Sequence, residues 1–275
     1  MSKERIDVLL VERGFFDSRE KAKAAIMAGR VFAGADRIEK AGMRVDREAE
    51  IQVKGDPHPY VGRGGLKLEK AIRDFNLDFR DRIVIDVGAS TGGFTDCSLQ
   101  HGASLVYAVD VGYNQLDWSL RSDPRVVVME RTNFRHMTPD RLTAGMPEIA
   151  VIDVSFISLK LILPPLKSML VPGGTVVALI KPQFEAGRGK VGKSGVVRDP
   201  GVHLEVIEGV LGFAAELGFS LMGLTYSPIT GGEGNIEFLA CWRLGEAPEA
   251  VPAGQYRRLG EAVVREAELA LSEKR

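Results

Sequence analysis

Apolar positions along the chain change rhythm near residue 60, and that change divides the sequence into two modules. In the first, Ile6, Leu9 and Leu10 fall at helical spacing, and Gly14 closes that helix. Asp17 offers an N-cap, with Glu20 three residues later as a capping-box partner. A second helix is predicted over 18–28, with Ala22, Ala25 and Ile26 on one face and Gly29 as its stop. Arg30-Val31-Phe32 reads as a short strand followed by turn residues over 34–36, and Val45 and Ile51-Gln52-Val53 as further strands. Lys54-Gly55-Asp56-Pro57-His58-Pro59 cannot continue regular structure.

The second module opens on Tyr60-Val61-Gly62-Arg63-Gly64-Gly65-Leu66-Lys67, whose glycines allow a close backbone path. Leu68, Ala71, Ile72 and Phe75 then form a helical stripe. Short apolar runs follow at Ile83–Val87, Leu105–Val109, Val126–Met129, Ile149–Ile152 and Thr175–Ile180, with helical segments between them. Such alternation implies right-handed βαβ units and a parallel sheet. A long helix over 202–217 precedes strands over 220–227 and 236–242, and the Gly231-Gly232-Glu233-Gly234 turn favours antiparallel pairing of those two. The predicted fold class is α/β: a doubly wound, mostly parallel, seven-stranded sheet preceded by a small α+β module. The boundaries are 1–54 for the small module, 55–62 for a linker, 63–245 for the large domain and 246–275 for a connector and helix.

Composition removes several function classes. The net charge is −1, so a nucleic-acid footprint must be a local patch. The amino terminus is charged and lacks an apolar signal region, and no apolar run approaches the roughly 20 residues that span a bilayer. A cytoplasmic location without membrane insertion is expected. The two cysteines form no CxxC pair and the four histidines have no metal-ligand spacing, so no metal is expected.

Chemistry concentrates at Asp86-Val87-Gly88-Ala89-Ser90-Thr91-Gly92-Gly93-Phe94, a strand end and glycine-rich turn that open a helix. Asp110 ends the second strand, where a carboxylate can accept hydrogen bonds from a ribose diol. NAD and S-adenosylmethionine both carry that ribose, so the spacing alone does not choose between them. The run is not GxGxxG, and an aspartate beside it suits a cationic sulfonium better than a pyrophosphate. Asp153 and Lys181 stand at the carboxyl ends of the fourth and fifth strands, which share one rim. Lys67 precedes the first strand and Glu237 lies in the last. Cations on the small module, Arg19, Lys21, Lys23 and Arg30, suit backbone phosphates. A second basic segment over 185–198 carries Arg188, Lys190, Lys193 and Arg198 among glycines and reads as a mobile loop beside Lys181.

Two resemblances follow from these residues. Arg5-Ile6-Asp7-Val8-Leu9-Leu10, Ser18-Arg19-Glu20-Lys21-Ala22 and Ile26 with Gly29-Arg30-Val31 resemble the S4-type RNA-binding domain. The 86–94 loop, with Lys67, Asp153, Lys181 and Glu237 at the places of a K-D-K-E tetrad, resembles the FtsJ-type (RrmJ) ribose 2′-O-methyltransferases. Thr91 and Phe94 depart from that loop, which has Pro and Trp there. Together the modules look like the TlyA/haemolysin-A family of S4–FtsJ ribosomal RNA methyltransferases. The resemblance implies a class I methyltransferase fold and S-adenosylmethionine as methyl donor. It implies ribosomal RNA or ribosomal subunits as partner, with cytidine in 16S and/or 23S rRNA as target. Lys67, Asp153, Lys181 and Glu237 are then catalytic, Lys181 as general base or alkoxide stabiliser. Asp86, Gly88, Ala89, Ser90, Gly92, Gly93, Phe94, Asp110, Asn133 and Asp153 are expected at the cofactor. Arg5, Arg19, Lys21, Lys23, Arg30, Arg63, Arg188, Lys190 and Lys193 are expected at RNA. Competing readings are a non-catalytic RNA-binding assembly factor, a haemolysin and a nicotinamide oxidoreductase.

Overall fold

The computed structural model describes residues 3–16, 18–27, 29–53, 58–245 and 254–272. The Asp17 cap, linker residues 54–57 and connector residues 246–253 lie outside the described residues. The chain forms two compact units, Met1–His58 and Pro59–Arg275.

The small unit runs β1 (Lys3–Arg5), α1 (Ile6–Glu12), α2 (Arg19–Met27), β2 (Val31–Ala33), β3 (Asp36–Arg37), β4 (Arg44–Asp46) and β5 (Ile51–Val53). Strands β3, β2 and β5 form an antiparallel sheet, and β1 pairs with β4. The predicted faces of α1 and α2 meet: Ile6, Leu9, Leu10, Ala22, Ala25 and Ile26 are all buried in one cluster. Strand β1 is entirely charged, so no apolar alternation announces it. Beside it Asp7 is fully buried, held by two guanidiniums.

The large unit continues with α3 (Gly64–Asp74), β6 (Ile83–Val87), α4 (Gly93–Gln100), β7 (Leu105–Val109), α5 (Trp118–Arg121) and β8 (Val126–Met129). Next come β9 (Ile149–Ile152), α6 (Leu163–Lys167), β10 (Thr175–Ile180), α7 (Pro182–Glu185), α8 (Pro200–Glu216), β11 (Phe219–Tyr226), β12 (Phe238–Leu244) and α9 (Gln255–Ser272). Its seven strands lie in the order β11-β12-β10-β9-β6-β7-β8. Only β12 runs against its neighbours, inserted between β10 and β11. Both faces of the sheet are covered, which is why β9 and β10 are continuous apolar runs. Val84, Val106 and Val177 pack with Leu68 and Phe94 on one face. Ile85, Tyr107 and Ala178 pack on the other with Leu163, Ile207 and the tail helix α9. Gly260 of α9 lies so close to α8 that a Cβ would stand 2.7 Å from Leu204. Strand β11 bulges between Leu221 and Gly223, where the Phe75 ring occupies the space a side chain would need.

Strand order reverses between β6 and β9, so the loops leaving their carboxyl ends part and open a crevice. Among the described residues no helix is long and apolar enough to cross a membrane.

Candidate active site

That crevice is a cleft of about 640 Å³ within the large unit, lined by residues from the 88–94 loop, α3, the ends of β9 and β10, and the 229–237 segment. The loop after β6 is shaped by positive φ at Gly88, Ser90 and Gly92. At Gly88 a Cβ would stand 2.7 Å from the Asp153 carbonyl oxygen, so the turn hugs the end of β9. At Gly93 it would meet the Gly65 nitrogen at 2.9 Å, so the entry to α3 is packed against the start of α4. Of the residues expected at the cofactor, Gly88, Ala89, Ser90, Gly93, Phe94 and Asp153 line the cleft, and so does Thr91.

Four expected cofactor residues do not line it. Gly92 faces Leu116 and Leu120 instead. Asn133 is exposed and caps its own short turn, accepting from the Arg135 N–H at 3.2 Å. Asp110 is taken up by backbone: it accepts from Ser90 N–H at 2.8 Å and Gly112 N–H at 2.6 Å, which ties the loop to the end of β7. Asp86 is sealed under the loop. It accepts from the Thr95 hydroxyl at 2.7 Å, and its Oδ1 has no partner. Burial, with Asp153 and Asp110 nearby, pushes its carboxyl up to about 7.

The structure brings together all four tetrad candidates. Lys67 projects from α3, Asp153 follows β9, Lys181 follows β10, and Glu237 immediately precedes β12 rather than lying within it. Lys67 Nζ donates to Glu237 Oε2 at 2.7 Å and to Asp153 Oδ2 at 3.4 Å. Lys181 Nζ stands 2.5 Å from Asp153 Oδ1 and donates to Ser155 Oγ at 3.1 Å. Burial alone lowers the Lys67 ammonium, but Asp153 and Glu237 outweigh it and raise it above the ordinary lysine value. Asp153 is opposed by burial in the same way, and the two lysines hold its carboxyl below the usual range. Two cations and two carboxylates thus compensate one another in a water-poor pocket.

Sequence reasoning missed three cleft residues. Gln183 donates to Glu237 Oε1 at 3.1 Å, Ser155 accepts from Lys181, and Phe156 packs against Phe184 in a tilted ring pair with centroids 4.9 Å apart. Phe156 is 91% exposed and adopts φ +62, a strained conformation for a bulky residue. A bulky apolar residue beside Asp153 was the available signal for it.

The expected RNA contacts divide. Arg5 forks the Asp7 carboxylate at 3.0 and 3.1 Å, and Arg19 reaches it at 2.8 Å. Their first task is therefore to neutralise a buried anion, whose carboxyl they hold well below the usual range. Lys21 is exposed, and Lys23 and Arg30 are partly so. Arg63 lines the cleft, while Lys190 pairs with Glu205 and Lys193 is exposed. The Arg188 side chain lies outside the described residues. The 185–198 segment is not a free loop. Glu185 accepts from Ser158 and Leu159, and Asn235 bridges the Gly195 carbonyl and the Val197 N–H at 3.0 Å each. His203 binds the Val197 carbonyl from α8.

Residues 60–244 match the FtsJ-like methyltransferase family and residues 4–51 the S4 domain. The chain is 57% identical to "Putative rRNA methyltransferase YqxC" of Bacillus subtilis (strain 168), over 99% of this chain and 97% of that protein. It is 42% identical to "16S/23S rRNA (cytidine-2′-O)-methyltransferase TlyA" of Mycobacterium tuberculosis (strain ATCC 25618 / H37Rv), over 90% of this chain and 92% of that one. A solved structure, "Putative hemolysin from Streptococcus thermophilus", superimposes with a TM-score of 0.78 at 52% identity, covering 100% of this chain and 98% of that one. The chain accordingly belongs to the TlyA/haemolysin-A family, in which an S4 domain precedes an FtsJ-like methyltransferase domain.

Proposed function

We propose that the chain is a cytoplasmic S-adenosylmethionine-dependent methyltransferase that modifies the 2′-hydroxyl of cytidine in 16S and/or 23S ribosomal RNA. The observation that carries the reading is the cluster of Lys67, Asp153, Lys181 and Glu237, side by side in a cleft that the glycine loop also lines. Three elements deliver carboxylates around that loop, and one of them, Asp86, leaves a buried oxygen unpaired. Carboxylates gathered at these strand ends suit a ligand bearing positive charge and oppose a pyrophosphate. The residues present therefore fit a sulfonium cofactor, which the backbone of 88–94, fixed by Asp110, would hold with Phe94 and Asp153. When bound, that cofactor supplies an electrophilic methyl group.

The chain's own residues then act on the ribose. Lys181, directed by Asp153, holds the attacking hydroxyl and stabilises the negative charge that grows on it as the hydroxyl proton passes to solvent water in the cleft. Ser155 Oγ occupies a position where Lys181 can donate to an oxygen, as a ribose hydroxyl requires. Lys67 and Glu237 keep Asp153 oriented. Arg63 at the cleft and the S4 domain's exposed cations hold phosphates without reading sequence. Lys181→Ala is expected to lower methyl incorporation into ribosomal subunits by about 10²–10⁴-fold while cofactor binding persists. Undiminished methylation would remove the assignment.

A further inference from the structure

Gln183 and Gly231 share the cleft wall with the four charged residues. Gln183 donates from Nε2 to Glu237 Oε1 at 3.1 Å, and Glu237 is 2% exposed. The other Glu237 oxygen takes Lys67 at 2.7 Å, whereas Lys67 lies 3.4 Å from Asp153. The shorter bond of Lys67 thus goes to Glu237, while Asp153 meets Lys181 through its other oxygen at 2.5 Å. The groups form one string, from Gln183 through Glu237, Lys67 and Asp153 to Lys181.

Gly231 meets the same carboxylate. A Cβ there would stand 2.7 Å from Glu237 Oε1 and 3.6 Å from Gln183 Nε2. Its φ is not positive, so space rather than backbone conformation requires glycine. The Gly231 N–H donates to the Asn235 carbonyl at 2.9 Å, and its own carbonyl accepts from Gly234 at 2.9 Å, so the backbone cannot withdraw cheaply.

We infer that Gln183 is a positioning residue for methyl transfer and that Gly231 is the clearance that admits its bond: together they lock Glu237 onto Lys67 and keep Lys67 from closing on Asp153, the carboxylate that directs Lys181. This rests on the reaction proposed above. Without the amide, Glu237 is free to turn, Lys67 moves closer to Asp153 than its present 3.4 Å, and it competes more strongly with Lys181 for that carboxylate. The cost falls on turnover, because the amide bonds the charged string rather than the cofactor loop.

The test uses full-length Gln183→Met, Gly231→Ala and their double variant, with Lys181→Ala as reference. Labelled methyl transfer from S-adenosylmethionine to ribosomal subunits gives kcat and KM, and a titration gives cofactor affinity. A hydrogen bond to a charged group implies that each single change lowers kcat about ten- to a hundredfold with KM and cofactor affinity unchanged. The double variant should be no slower than the slower single, because both changes break one bond. Gln183→Glu adds a carboxyl that can donate to Glu237 only when protonated, so its kcat should recover as pH falls while wild type does not. That profile decides the matter should Gln183→Met fail to fold. Wild-type kcat in the singles, multiplying losses in the double, or no recovery at low pH, each beside an inactive Lys181→Ala, would overturn the inference. An active Lys181→Ala would instead overturn the reaction on which it rests.

Discussion

Replacing Asp86 by asparagine removes a titrating proton from beneath the 88–94 loop while keeping the shape of the side chain. The wild-type carboxyl is fully buried and rises from an ordinary 3.8 to about 7, chiefly through burial. Between those values the folded protein keeps a proton that the unfolded chain has released. Stability therefore declines as pH rises through that window: it is highest below about pH 4 and has fallen fully once the folded carboxyl ionises. Each pH unit corresponds to about 1.36 kcal/mol, so the window amounts to roughly 4 kcal/mol as a ceiling. The amide of the Asp86→Asn variant cannot ionise, so its stability lacks this decline. Over the two units from pH 5 to pH 7, the difference should move in favour of the variant by up to about 2.7 kcal/mol. For a unit of this size that is a change of roughly 5–10 °C in the gap between the two melting temperatures. Thermal unfolding of both proteins without added cofactor, at pH 5, 6, 7 and 8, measures it. The gap should stop growing above the folded ionisation. Parallel melting curves from pH 5 to pH 7 would refute the reasoning, whatever their absolute offset.

Three further changes probe other parts of the molecule. Gly88→Ala forces an alanine to φ +88 against the Asp153 carbonyl, and a strain of about 1–3 kcal/mol plus the clash should lower the melting temperature and weaken cofactor binding, both measurable by titration and unfolding. Asp7→Asn strips Arg5 and Arg19 of their anion and should destabilise the small unit by about 1–3 kcal/mol at neutral pH. In wild type that contribution is present above the ordinary carboxylate range and is lost as pH falls through the depressed folded value, so denaturant curves of the two proteins should converge in acid. Phe156→Gly relieves a strained φ and should raise stability by up to about 1 kcal/mol. It also removes an exposed ring beside the cleft, so KM for RNA should rise if that ring stacks on a base, a contact worth about 1–3 kcal/mol.

The sheet is legible in the sequence because its information is local. The five apolar runs at Ile83–Val87, Leu105–Val109, Val126–Met129, Ile149–Ile152 and Thr175–Ile180 each form a strand with those ends, since a strand buried on both faces needs an unbroken apolar run. What local pattern does not encode is partner choice. The glycine turn predicts that β12 pairs with β11, and it does, but it also pairs with β10, and only three-dimensional packing assigns that second edge. The shift of its start to Phe238 follows: Ser227 binds the Glu237 carbonyl at the hairpin base, which leaves the Glu237 side chain at the rim rather than in the ladder.

The same distinction governs the site. Lys67, Asp153, Lys181 and Glu237 are findable because charge beside an apolar run is conspicuous. Gln183 and Ser155 carry no such contrast and their contacts cross long stretches of chain, while Gly231 reads only as part of a turn. The 185–198 segment misleads for the converse reason: its glycines and cations read as a mobile loop, yet Asn235, about forty residues on, ties it at both Gly195 and Val197. The Asp7 pairing of Arg5 and Arg19 is equally hidden, since a lone aspartate two residues from Arg5 does not announce that it will be buried. Buried charge is the common element. An uncompensated ion in the interior costs more than most single contacts return, so the fold commits its nearest opposite charge first and leaves only the remainder for ligands. In the S4 unit that rule commits Arg5 and Arg19 to Asp7 first, although each keeps nearly half of its side chain exposed. In the cleft it has the opposite effect: two lysines and two carboxylates satisfy one another, so Lys181 reaches the cleft already directed, and the neutral amide of Gln183 can set the pairing without adding charge.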